Sequence, residues 1–407
     1  MPPLRVLLLC ALARRAAPAF TYPDFNDTAA LRFNGDAATS ACGDGGPYAY
    51  AAVYGANDGA GGGDGLLDLR LSEAPGTRSE ARSVPFDAAG AAAAARLRAA
   101  FPSRDAFRGA PDNTTGACAL RLRLTPSRAF KAASVLRVEP LPVLGGWETG
   151  FTFQITDASR QCARVKDATF GAASHETCSV AGGDGLAFLI HGDPRSGSSA
   201  LGAGGGGLGY AGLPSALAVE FDTWYNAEGG GRSGDLPYDH LAVQAAPAGG
   251  PAGATSAATP AVTADSDTRV SGAPLRVDLA DGLRHTARIA YYPYLKMDFL
   301  PRFAASAALP QFLVADAERR QVGTLAVWLD EVEAGSGEVA GAAPRAARAA
   351  GAAQVLPTLA VPLNLAEVLR PVGGEAWAGF TASTGSVAWQ KHDVTQWWWC
   401  DAPGCGE

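Results

Sequence analysis

Positive charge is in short supply in this 407-residue chain: Lys and Arg number 33 against 40 Asp and Glu, a formal net charge of -7. That balance leaves no electrostatic footprint for nucleic acid or for an anionic membrane surface. Long apolar runs are also missing. The run from Val6 to Ala13 is too short to span a bilayer, and no later run is long enough, so no transmembrane segment is expected. No cysteines show the CxxC…CxxC spacing of a zinc site. A nucleophile elbow and a Ser–His–Asp pattern are likewise absent. Glycine (50) and proline (27) are abundant, and 47% of the residues are hydrophobic. Alanine inflates the last figure, but the composition favours a loop-rich, all-β chain with a sizeable core over a helical one.

The first residues have the shape of a secretory signal. Arg5 precedes the apolar run, and Ala17-Pro18-Ala19 offers small residues for cleavage, so residues 1–19 are expected to be a signal peptide. The mature chain is then secreted, or resident in the secretory pathway or outside the cell. Cysteine usage agrees with an oxidising compartment. Of the seven cysteines, Cys10 lies within the signal. Locality pairs Cys162 with Cys178 and Cys400 with Cys405, and elimination leaves Cys42 with Cys118. The sequons Asn26-Asp27-Thr28 and Asn113-Thr114-Thr115 fit a glycoprotein.

Along the chain, alternating apolar and polar residues mark strands over 21–38, Leu120–Leu124, Trp147–Ile155, Leu217–Thr223, Leu241–Gln244, His285–Tyr292, Leu325–Asp330, Ala376–Thr381 and Val394–Trp399. Leu186–Ile190 is a short, continuously apolar strand. Between them, Gly55–Gly65 reads as a loop, Ala88–Ala100 as a helical stretch and Ala245–Asp265 as low-complexity surface text. Many short strands separated by turn signals indicate a sandwich or barrel, and nothing suggests βαβ units.

One stretch carries chemistry: Val219-Glu-Phe-Asp-Thr-Trp-Tyr-Asn226, followed by Gly234-Asp-Leu-Pro-Tyr-Asp-His240. Strand alternation sends Glu220, Asp222, Trp224 and Asn226 one way and Phe221 and Thr223 the other. Two carboxylates so placed repel each other unless a cation lies between them. The oxygen donors Asp222, Asn226, Asp235 and a backbone carbonyl suit Ca2+. Adding His240 to Glu220, Asp222 and Asp235 makes a mixed set that suits a transition ion such as Mn2+. Asp239, beside the histidine, competes with Asp235 for the second-loop position.

This stretch resembles the metal-binding segment of the legume (L-type) lectins, the family of concanavalin A, in which Glu-x-Asp-x-aromatic-x-Asn is followed by a loop returning Asp and then His. Four further segments resemble the same family in chain order: Phe25 to Ala38; Gly183-Asp184-Gly-Leu-Ala-Phe188; Gly204-Gly-Gly-Gly-Leu-Gly-Tyr210; and Gly379 to Gly385 with His392-Asp-Val394 and Trp397. The resemblance implies a concanavalin A-like jelly-roll β-sandwich over residues 20–399, with a tail at 400–407. It implies that Glu220, Asp222, Asp235 and His240 hold the transition ion. Asp222, Asn226, Asp235 and the Trp224 carbonyl would hold Ca2+. In that family an aspartate at the position of Asp184 accepts hydrogen bonds from sugar hydroxyls, after a cis peptide bond, here Gly183–Asp184. Gly205, Gly206 and Asn226 would donate, Trp224 would supply an aromatic plate, and Ser386 lies in the loop that helps to select the sugar.

The expected function is therefore a Ca2+- and Mn2+-dependent lectin without catalytic activity, with glycans or glycoproteins as partners, as a single chain or a homo-oligomer. The chain departs from a minimal domain of that family by insertions at about 43–117, 157–181, 245–268 and 296–320, and its loop after Gly385 is short, so sugar specificity does not transfer. Three other readings remain. A family-16-like glycoside hydrolase would begin with Glu220-Phe-Asp222, but Thr223, Trp224 and Tyr225 occupy the positions where its second glutamate belongs. A cargo receptor for glycoproteins would need an anchor or retention signal. A structural cell-surface sandwich would have lost sugar binding.

Overall fold

The structure, a computed structural model, describes residues 18–40, 82–85, 120–166, 174–226, 239–245, 262–263, 279–280, 282, 284–303, 307–308, 322–330 and 356–405. Residues 1–17 of the expected signal peptide, the stretch at 88–100, Cys42, Cys118 and Asp235 fall outside these residues. No described helix is long and apolar enough to cross a membrane.

Two antiparallel sheets make a sandwich. The eight-stranded sheet runs Leu359–Leu363, Gly323–Leu329, Arg284–Tyr292, Trp147–Thr156, Lys391–Cys400, Arg121–Thr125 and Ala38–Ser40, with Phe20–Tyr22 added along Lys391–Cys400. The seven-stranded sheet runs His240–Ala245, Ala216–Asp222, Gly185–His191, Glu375–Ser383, Ala132–Arg137 and Leu31–Gly35, with Leu141–Pro142 pairing onto Glu375–Ser383. The expected all-β jelly-roll sandwich is what the chain forms.

Period-two alternation places the core. Trp147, Phe151, Phe153 and Ile155 face inward from one sheet, and Leu186, Phe188, Phe221 and Phe380 from the other. Phe151 meets Phe380 edge-on at 4.9 Å, and Phe153 meets Phe221 at the same centroid distance. Each such ring, fully buried, contributes about 1.5–3 kcal/mol of transfer free energy. Leu186–Ile190 is continuously apolar because both its faces are covered. Its outward residues Ala187 and Leu189 pack with Ala216 and Ala218 beneath Ala200, Leu208, Tyr210 and Leu213 of the glycine-rich loop.

Residues 157–181, expected as a clipped insertion, contain a hairpin of Ser159–Lys166 and Ser174–Ala181, onto which Arg82–Pro85 adds a third strand. Its register sets Cys162 opposite Cys178. Cys400, the final residue of the last strand, and Cys405 form a disulfide at a Cα separation of 6.4 Å, as expected.

Candidate functional site

The sequence-derived residues that the structure describes lie toward one end of the seven-stranded sheet, where Gly185–His191 begins and Ala216–Asp222 and Glu375–Ser383 end. Asp184 opens the first of these strands. The peptide bond before it, Gly183–Asp184, is cis. Its N–H donates to Ser383 O at 3.0 Å, and its carbonyl accepts from Thr223 N–H at 3.0 Å and from the Thr223 hydroxyl at 3.2 Å. Gly185 has a φ of +139°, and a β-carbon there would stand 2.4 Å from Phe221 O, so only glycine lets the chain enter the strand at this point. Asp184 is 4% exposed. Its carboxylate faces Gly385, whose β-carbon, if present, would lie 3.3 Å from Oδ2 and 3.6 Å from Oδ1.

Three loops border the Asp184 segment. The first is the turn Gly385–Ala388, held by Gly385 N–H to Ala388 O at 3.1 Å, which contains Ser386 and the exposed Val387. The second is the glycine loop, tied down where the Ser383 hydroxyl donates to Gly205 O. Gly205 and Gly206 are half-buried, and the β-carbon direction of Gly205 opens onto free space. The third follows Asp222. Trp224 is half-buried, with its Cβ and indole Cε3 each 3.3 Å from where a Gly183 β-carbon would be. Trp224 therefore packs on the Asp184 loop and not in the core. Asn226 is half-buried two residues further on.

Strand alternation ends at Asp222, short of the sequence expectation, because the Trp224 N–H turns back to Asp222 Oδ1 at 2.8 Å. Within the strand the prediction holds: Leu217, Val219 and Phe221 enter the core, while Glu220 and Asp222 take the outer face. Register pairs Asp222 with His240 on the neighbouring strand, so the imidazole shares that face. Glu220, Asp222 and His240 are all buried, and Glu220 Oε1 accepts a hydrogen bond from the Tyr210 hydroxyl. Among the described residues no group of three His, Cys, Asp or Glu side chains is placed to hold a metal ion. Asp239, fully buried, accepts from Leu279 N–H at 2.9 Å.

Sequence reasoning missed three contributors. Ser383 and Thr223 hold the Asp184 backbone, yet a lone hydroxyl residue in a strand gives no local signal. Phe130 is 78% exposed at a left-handed φ of 57°. Its N–H donates to Gly385 O at 3.1 Å, and Thr384 is stitched to Lys131 and Arg128 by three more bonds of 2.6–3.0 Å. An exposed aromatic on left-handed backbone is thus carried by a loop bolted to the turn beside Asp184.

No family model matches the chain, and no curated protein matches it either. Its neighbours among solved structures are lectins of the L-type fold. One is the lectin from Bauhinia forficata in complex with GalNAc (15% identity, TM-score 0.40, covering 94% of this chain and 96% of that one). Another is lectin I-B4 from Griffonia simplicifolia in a metal-free form (15%, TM-score 0.41, 93% and 97%). A third is the exoplasmic/lumenal domain of VIP36 in a Ca2+/Man2-bound form (14%, TM-score 0.37, 70% and 76%).

Proposed function

We propose that this chain is a secreted carbohydrate-binding protein, a lectin without catalytic activity. The observation that carries the reading is the buried Asp184 carboxylate, which faces the Gly385 turn. A sugar ring presents hydroxyls around its edge and C–H bonds on its face, so a binder needs a fixed acceptor, fixed donors and an aromatic plate. Asp184 supplies the acceptor; the N–H groups of Gly205 and Gly206, together with Asn226 and Ser386, supply polar partners. Trp224 supplies a plate, and Phe130 extends the apolar rim on the side of the Gly385 turn.

The metal reading draws on the outer face, where two buried carboxylates, Glu220 and Asp222, lie on the strand beside His240. In this reading Glu220, Asp222, Asp235 and His240 hold a transition ion, most suitably Mn2+, and Asp222, Asn226, Asp235 and the Trp224 carbonyl hold Ca2+. Asp235 is preferred to Asp239, whose Oδ2 is spent on Leu279 N–H. Bound there, the ions would neutralise the carboxylates and pin the loop of Asn226, which is preorganisation of the sugar site. Hydrolysis is disfavoured. A retaining glycosidase sets two carboxyls about 5–5.5 Å apart across the scissile bond, whereas Glu220 is capped by Tyr210 and Asp222 by the Trp224 N–H.

The test is a glycan array probed with the full chain in Ca2+ and Mn2+, then after exhaustive EDTA, then after metal is restored. Binding that disappears with EDTA and returns with the ions is expected. A chain that binds no glycan in any of the three states overturns the carbohydrate reading, and binding unchanged by chelation overturns the metal assignment.

A further inference from the structure

A chain of hydrogen bonds runs beneath the Asp184 loop through residues outside the binding set. His392, in the strand Lys391–Cys400, is fully buried and burial pushes its pKa down to about 3, so the ring is neutral and carries one N–H. Gln390 Nε2, which can only donate, lies 3.2 Å from His392 Nε2. That ring nitrogen must therefore accept, and the proton sits on Nδ1. Nδ1 is 2.6 Å from Thr125 Oγ1, whose own hydrogen goes to Gln390 O at 3.4 Å. The second hydrogen on Gln390 Nε2 goes to Thr223 Oγ1 at 2.6 Å. The Thr223 hydroxyl then has its hydrogen free to donate to Asp184 O at 3.2 Å. Every donor has one place to go: the Gln390 amide donates both to His392 and to Thr223, and each of these passes a hydrogen onward, to Thr125 and to the Asp184 carbonyl.

Space at residue 182 is part of this arrangement. A β-carbon on Gly182 would stand 1.7 Å from Gln390 Oε1, so the amide occupies room that any other residue would fill. In this arrangement the Nε2 end of the Gln390 amide faces Thr223 and His392, and the Oε1 end faces Gly182.

We propose that Gln390 and His392 are positioning residues of the carbohydrate site, acting through Thr223 to hold the Asp184 carbonyl and so to aim the Asp184 carboxylate. The proposal rests on the lectin reading for its consequence, not for its geometry. Reversing one link reverses the chain: a Gln390→Glu side chain accepts where glutamine donates, so it draws the Thr223 hydroxyl away from Asp184 and a proton onto His392 Nε2.

The experiment uses the full chain, with mannosyl- and N-acetylgalactosaminyl-albumin as probes. Thr223→Val removes the link outright, and Thr223→Ser restores the hydroxyl. Loss of one neutral hydrogen bond predicts about three- to tenfold weaker binding for Thr223→Val and Gln390→Glu, with Thr223→Ser near wild type. Ring-nitrogen NMR should find the His392 proton on Nδ1 in the wild type and on Nε2 in Gln390→Glu. Amide exchange at Thr223 and Asp184 should quicken in Thr223→Val and Gln390→Glu with no matching change in global stability. A wild-type His392 protonated on Nε2, or a Thr223→Val variant with unchanged binding and unchanged exchange, overturns the relay. If the wild type binds neither probe the lectin reading falls, and the NMR and exchange measurements still decide the relay.

Discussion

Gly385→Ala separates the sugar site from the fold more cleanly than any other single change. The backbone at 385 is not left-handed, so alanine is tolerated there without φ strain. Replacing glycine at such a position stabilises the folded state by about 0.4–1 kcal/mol through the unfolded chain. The new methyl would lie 3.3 Å from Asp184 Oδ2 and 3.4 Å from Ala388 O, tight contacts that return part of that gain. Net stability should therefore stay within about 1 kcal/mol of wild type, a shift of a few degrees in Tm. Binding is another matter, because the methyl stands against the carboxylate that accepts the sugar hydroxyls. A charge-assisted hydrogen bond contributes about 1.5–3 kcal/mol, so losing one weakens binding by roughly ten- to hundredfold. Calorimetric titration with the best glycan from the array, beside a thermal melt of the same sample, reads both quantities. Wild-type affinity in Gly385→Ala, or a loss of affinity matched by an equal loss of stability, refutes the placement of Asp184 at the sugar.

Asp184→Asn should abolish glycan binding while elemental analysis still finds the metal content of the wild type, since Asp184 is assigned to sugar and not to metal; full binding by the variant would show that the acceptor lies elsewhere. Phe130→Gly relieves a left-handed side chain at a cost-free exposed position, so its Tm should equal or exceed that of the wild type, while affinity for oligosaccharides falls more than affinity for the monosaccharide; an equal effect on both would remove Phe130 from the rim. Stability should fall with acid: burial holds His392 at about 3 and His191 at about 4, against 6.5 unfolded, so below 6.5 the unfolded chain binds protons that the folded chain refuses. Each ring contributes a slope of up to about 1.4 kcal/mol per pH unit, and urea unfolding of the metal-free chain from about pH 7 to about pH 5 should show it; a flat profile, or one unaltered in His392→Gln, contradicts the assignment.

Much of the architecture was legible in local text because a half-covered strand writes its exposure into alternate residues. Trp147–Ile155, Leu217–Thr223 and Ala376–Thr381 are legible this way, and strand parity alone puts Glu220 and Asp222 opposite Phe221. The Asp184 segment, the glycine loop and the Gly379–Gly385 segment were found as short signals in chain order, and cysteine proximity anticipated the Cys400–Cys405 bridge. Tertiary structure decided the rest. Ala132–Arg137 has no alternation because Ser134 bonds to Ala200 O on one side while Val135 enters the core on the other. Leu359–Leu363 contains Pro362, which argues against a central strand and is accommodated because this strand lies at a sheet edge. The Thr125–His392–Gln390–Thr223 chain joins residues as far apart as 267 positions, and Phe130 meets Gly385 from a loop far away in sequence. Such contacts leave no periodicity behind them, because each residue's partner is set by how the two sheets and their loops close in space, not by its neighbours along the chain.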